Sequence, residues 1–179
     1  LYNVIWKSSD AAAVEEGLDK LANFCFDGEE AKAYRLILCQ DRRLSVATSA
    51  MIEWAENPDV ISVACEVITN ALESEEVDYD TAEANGLVES VLEAMRKDPN
   101  SKYLQRYGCR ALAYLLDKGS SKHRFVTKLD GLTTITAAMK EFPYNCSLQM
   151  LGCCVIIILS ELPELKDHLI EAGCVELAG

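Results

Sequence analysis

The residues with chemistry to offer are eight cysteines, two histidines, one short basic stretch and one run of acids. His123 and His168 are the only imidazoles. Neither stands at metal-ligand spacing from a cysteine, so the usual zinc patterns are excluded. No two cysteines form a C-x-x-C pair. Cys39, Cys65, Cys109 and Cys153 lie inside apolar stretches, where a thiol packs as a small hydrophobe. Reduced, mostly buried thiols are expected. Cys153-Cys154 offers redox chemistry in principle, but two packing thiols are the simpler reading. Lys118-Gly119-Ser120-Ser121-Lys122-His123-Arg124 sets cations beside small residues, as a phosphate or acidic-peptide site would. It lacks the strand and glycine spacing of a phosphate loop and reads as a solvated turn between helices. Glu73, Glu75, Glu76, Asp78, Asp80 and Glu83 would attract a cation, but the glycine-centred ligand order of a calcium loop is missing. A nucleophile elbow and a zincin helix are missing too. The chain is expected to hold no catalytic, cofactor or metal site of its own.

Length and charge narrow the classes further. The chain has 179 residues, half of them apolar, with a formal net charge of −12 and a pI near 4.6. That is enough to bury a core, and the acidic balance argues against nucleic acid as a partner. Residues 1–98 carry 8 basic and 21 acidic side chains, whereas residues 99–179 carry 9 and 8. The longest apolar run, Leu151–Leu159, is far short of the ~20 residues that cross a bilayer, so it is expected to be a fully buried core helix, with no membrane insertion. The chain opens on Leu1 without a signal-peptide pattern. A fragment or processed chain is expected, in a reducing intracellular compartment, the cytoplasm ahead of the nucleus.

The elements that must position any site follow from an internal period. Met51, Met95 and Met139 are spaced by 44, and so are Cys65, Cys109 and Cys153. Ala64, Gly108 and Gly152 put a small residue at a matching place, where helices can approach closely. A period near 44 falls in the ~40–47 range of two- and three-helix repeats. Leu87, Val88, Val91, Leu92 and Met95 form one face of a helix, which Asp98-Pro99-Asn100 breaks. A longer helix over roughly Tyr103–Leu116 is predicted next, with Leu104, Tyr107, Gly108, Ala111, Leu112 and Leu115 inward. A short helix from Lys122 toward Lys128 follows, and a new unit starts around Gly131.

Several segments resemble the armadillo-repeat family. Pro163-Glu164-Leu165-Lys166-Asp167-His168-Leu169-Ile170-Glu171-Ala172-Gly173-Cys174-Val175 is similar to its junction, in which a short first helix ends in a glycine before the second. Glu83-Ala84-Asn85-Gly86-Leu87-Val88 has the same ending. Leu21-Ala22-Asn23-Phe24 and Ile68-Thr69-Asn70-Ala71 are similar to the third-helix signature, whose asparagine faces the concave groove. The resemblance covers nearly the whole chain and implies an all-α fold, a right-handed α-solenoid of about four armadillo-like repeats. Its units would be 1–26 (partial), 27–72, 73–116, 117–160 and 161–179 (truncated). The chain shows no polar cap at Gly179, so further repeats are expected beyond it.

The groove positions that the resemblance implies are Asp19, Asn23, Glu66, Asn70, Arg110, Tyr114, Cys154 and Ile158, two columns one helical turn apart. Nuclear-import receptors place a tryptophan where Asp19, Glu66, Arg110 and Cys154 stand, and the later asparagine sites are Tyr114 and Ile158. The Trp–Asn ladder of an import receptor is therefore not present. The groove would run from acidic and amide-lined to basic-aromatic to apolar. This suits an extended segment or helix of a protein partner, basic at one end and apolar at the other. The function expected is a non-enzymatic protein–protein interaction scaffold, a section of a longer chain or a subunit of an assembly. The alternative is a regulatory or targeting domain of a larger enzyme, of ubiquitin-ligase or kinase type, with catalysis elsewhere.

Overall fold

A computed structural model describes residues 5, 8–26, 29–39, 43–54, 56–72, 79 and 86–174. The carboxylates of the acidic run, Trp6 and residues 175–179 lie outside the described residues. The described elements are α1 (Ala11–Phe26), α2 (Glu29–Cys39), α3 (Ser45–Glu53), α4 (Pro58–Leu72), α5 (Leu87–Lys97), α6 (Lys102–Lys118), α7 (Lys122–Thr127), α8 (Gly131–Glu141), α9 (Cys146–Ser160) and α10 (Lys166–Glu171), with a 3-10 turn over Pro163–Leu165. No strand occurs among the described residues, and the fold is all-α.

Local chemistry sets where the helices begin. The Asn57 side chain accepts from the Val60 amide at 3.2 Å, Ser101 Oγ from Leu104 at 3.3 Å and Asn145 Oδ1 from Leu148 at 3.2 Å. Each satisfies a first-turn N–H that has no partner inside its helix. These caps recur every 44 residues, as do the starts of α4, α6 and α9 at Pro58, Lys102 and Cys146. The residue before α5 is left-handed Gly86 (φ 80°), and before α8 it is left-handed Asp130 (φ 51°). Ser90 and Thr134, one turn into those helices, donate their hydroxyls to the Gly86 and Asp130 carbonyls at 2.9 and 3.1 Å.

The helices pack in chain order as two layers. In one, α1 packs on α4, α4 on α6 and α6 on α9; in the other, α3 packs on α5 and α5 on α8. Each of α3, α5 and α8 also packs on the long helix that follows it. The core lies between the layers, where Met51, Val60, Leu92, Leu104, Leu112, Leu115, Ile135 and Leu148 are buried. Two polar latches cross it. Gln105 donates to the carbonyls of Met95 and Asp98 at 2.7 and 2.9 Å, and Gln149 to those of Met139 and Phe142 at 2.8 and 3.0 Å. They tie the end of α5 to α6 and the end of α8 to α9, and satisfy carbonyls that helix termini leave open.

Two burial expectations are corrected. The apolar run Leu151–Leu159 does lie in α9, but only Gly152, Val155 and Leu159 within it are buried, and Ile157 is 62% exposed. Helix α9 packs on α6, α8, the 3-10 turn and α10, and leaves Met150 and Ile157 exposed. Tyr107, expected inward, is half-buried because its ring lies at the edge between α6 and α4.

Candidate binding surface

The long helices α1, α4, α6 and α9 share a register, so Asp19, Glu66, Arg110 and Cys154 occupy equivalent places on successive helices. Asn23, Asn70, Tyr114 and Ile158 stand one turn further on. Asp19 and Asn23 are exposed and joined, Asn23 donating to the Asp19 carboxylate at 3.0 Å. Glu66 is exposed. Arg110, Tyr114, Cys154 and Ile158 are half-buried. Asn70 departs from this pattern. It is 5% exposed, and its amide donates to the Ala22 carbonyl at 3.3 Å, which fastens α4 to α1 rather than facing a ligand.

Along the face, the chemistry changes from helix to helix. On α1 and α4 it is acidic, with Glu15, Glu16, Asp19 and Glu66. Lys20 at 2.5 Å from Glu16 holds that carboxyl below its ordinary range, by hydrogen bonding first and by charge second. On α6 a stripe of Tyr103, Arg106, Tyr107, Arg110 and Tyr114 follows. The Arg106 guanidinium lies 4.3 Å from the Tyr107 ring centre and 6.0 Å from that of Tyr103, and Ser62 Oγ donates to the Tyr107 hydroxyl at 2.7 Å. Among the described residues no carboxylate forms an ion pair with Arg106 or Arg110. On α9 the face is apolar: Met150 is 61% exposed, beside Ile157 and Ile158. Tyr103, Arg106, Tyr107, Met150 and Ile157 join the sequence-derived set. For Tyr103, Arg106 and Tyr107 the signal was available in the i, i+3, i+4 spacing of 103, 106, 107 and 110 along the polar stripe of α6.

The other chemical candidates are taken up by structure. Lys122 pairs with Glu161 at 3.0 Å, and Arg124 pairs with Glu89. The basic stretch thus ties α7 to the end of α9 and to α5, and does not form an open anion cradle. His123 and His168 sit exposed on the short helices α7 and α10. Among the described residues no three His, Cys, Asp or Glu side chains stand together as a metal site. Seven described cysteines are free; Cys25, Cys65, Cys109 and Cys174 are buried, Cys153 and Cys154 half-buried, and Cys146 exposed. Burial pushes the Cys25 thiol up to about 11 and Cys109 up to about 12. Cys65 also moves upward, with the Arg110 charge opposing the shift. Such thiols stay protonated near neutral pH and are poor nucleophiles.

Away from this face, clefts open beside the second layer. One of about 400 Å³ is lined by Met95, Arg96, Gln105, Asp130, Thr134 and Glu141, and one of about 750 Å³ by Trp54, Asn57, Asp59, Lys97 and Asp98. Their cations are engaged: Arg96 donates to Thr134 Oγ1 at 3.0 Å, and Lys97 to the Ile52 carbonyl at 3.0 Å. Among the described residues no single helix is long and apolar enough to cross a membrane. No family model, curated protein or solved structure matches the chain.

Proposed function

We propose that the chain is a section of a right-handed armadillo-like solenoid that serves as a protein-binding scaffold and carries out no reaction of its own. A partner's extended segment or helix lies across the face of α1, α4, α6 and α9, which is the concave side in this arrangement. The observation that carries the reading is the common register of those four helices, which turns single exposed positions into columns. Supporting it, the face offers acid, cation with aromatic, and bare apolar surface in turn, the mixture from which binding hot spots are made. Four helices about 10 Å apart extend over ~30 Å, which an extended segment of about ten residues spans.

The test is to pan a displayed library of random twelve-residue peptides on the protein and on the Asp19→Lys/Glu66→Lys double variant. The unaltered protein enriches peptides with Lys or Arg at one end and aliphatic residues at the other. The double variant binds those peptides at least about tenfold more weakly, as expected when two opposite charges become like charges. Lack of enrichment over the bare support, or equal binding to both proteins, would overturn the reading.

A further inference from the structure

We infer that the middle of the face, on α6, is an acid-binding subsite: Arg106 and Arg110 take Asp or Glu side chains of the partner segment, next to the residues that seat its aliphatic end on α9. This rests on the peptide-binding reading and adds a specificity that the acidic end of the face alone would not supply.

Three observations converge on it. The two arginines stand one turn apart on α6, both half-buried, and among the described residues neither has a carboxylate partner. Some surface cations in this acid-rich chain have oxygen partners, among them Lys20 with Glu16, Lys122 with Glu161, Arg124 with Glu89, and Arg35 on the Cys25 and Phe26 carbonyls. The two arginines, like Lys32, Lys128, Lys140 and Lys166, form no ion pair among the described residues. Like charges at i, i+4 repel, so the bare pair is mildly unfavourable until an anion bridges it.

The geometry also presents the guanidinium in the right way. Arg106 lies over the Tyr107 ring at 4.3 Å, and that ring is held by the hydrogen bond from Ser62 on α4. A stacked guanidinium uses its flat face on the ring and keeps its edge N–H groups for a planar, two-point carboxylate contact. The tyrosine therefore orders the side chain before the ligand arrives, which lowers the entropic cost of binding. The third observation is position. Met150 and Cys154 on α9 are the 44-residue counterparts of Arg106 and Arg110, so the cationic pair and the exposed apolar patch with Ile157 lie on adjoining helices. A ligand reaching across both has an acidic block followed by an aliphatic block. On the other side Glu66 repels an acid, which limits the acidic block to the width of α6.

The same random peptide library, panned on the unaltered protein, on Arg106→Glu/Arg110→Glu and on Arg106→Gln/Arg110→Gln, tests this. Circular dichroism and urea unfolding of each variant check that it is folded. If the subsite exists, Asp and Glu are enriched severalfold beside the aliphatic block in the first pool. The enrichment falls to the library average with the Gln pair and gives way to Lys and Arg with the Glu pair. Equal Asp and Glu frequencies in all three pools, with peptides still enriched, would remove the acid subsite and leave the scaffold reading standing. No enrichment on any of the three would remove both. Should the Glu pair fail to fold, the comparison between the unaltered protein and the Gln pair decides alone.

Discussion

Met139 lies so close to Gly152 that a Cβ placed on the glycine would meet the methionine sulfur at 2.5 Å. The relationship repeats one unit earlier, where a Cβ on Gly108 would sit 2.5 Å from the Met95 sulfur. A third version joins Ile5 to Gly17, with 2.6 Å between the added Cβ and the Ile5 side chain. The fourth differs: Ala64 already carries a Cβ, and the Met51 sulfur instead meets the Cys65 thiol at 3.7 Å. Beside Ala64 the methionine thus accommodates one methyl group.

Gly108→Ala is therefore expected to unfold within about 1 kcal/mol of the unaltered protein, because the gain in helix propensity offsets the displacement of Met95. Gly108→Val forces both branches against Met95 and costs about 2–3 kcal/mol. Urea unfolding of the two variants separates these outcomes. Equal destabilisation by Ala and Val would show that the methionine cannot move.

Gln105 is buried, and its amide is the latch on two carbonyls at the end of α5. Removing it leaves both acceptors without that donor in a region largely closed to water. Gln105→Ala should cost about 2–3 kcal/mol, and Gln149→Ala less, since Gln149 is only half-buried. Chemical denaturation of the two variants measures the ranking. The reverse order would mean that packing rather than hydrogen bonding sets the contribution.

The Met and Cys periods were legible in the sequence because they come from identical residues at a fixed spacing, and the helix expected from roughly Tyr103 and the unit expected from around Gly131 begin at Lys102 and Gly131. The glutamine latch was not, because the place of Gln105 and Gln149 is held by buried Ile61 in the preceding unit, where the two-carbonyl contact has no equivalent. The face was partly legible. Of the positions that periodicity put on this face, Glu66 is exposed and Arg110 half-buried, but periodicity could not say that Asn70 would turn to the Ala22 carbonyl, since an amide suits a groove and an interhelix bond equally well. Nor could hydropathy show that Ile157 would stand open: a residue's apolar character sets what it would gain from a cover, not whether a cover is there.

Asp130 is the only described non-glycine residue with positive φ, and Gly86 holds the equivalent place before α5. A side chain in the left-handed region is strained, and the Asp130 side chain makes no capping bond in return. Asp130→Gly is expected to stabilise the protein by about 0.5–1 kcal/mol, which raises Tm by roughly 2 °C for a chain of this size. Asp130→Val should lower it by more than that. Calorimetry on both variants checks the sign; a lower Tm for the glycine variant would show that the aspartate is doing something other than enduring strain.

The buried thiols make stability fall in alkali. Cys109 titrates at about 12 in the folded chain against an ordinary 9.0, and Cys65 is shifted in the same direction, both because burial disfavours the thiolate. Between those values the unfolded chain releases thiol protons that the folded chain keeps, so the folded state binds more protons and stability decreases as pH rises. The stabilising contribution is complete below pH 9 and is lost above it, by about 1.4 kcal/mol per pH unit for each thiol. At pH 10 the pair should cost about 3 kcal/mol relative to pH 8. Lysines and tyrosines titrate in the same range, so the informative comparison is with Cys65→Ala/Cys109→Ala. That variant starts less stable at pH 8 because of the lost packing, yet it should lose about 3 kcal/mol less between pH 8 and 10 in urea unfolding under reducing conditions. Identical pH slopes for the two proteins would mean that neither thiol is held protonated by the fold.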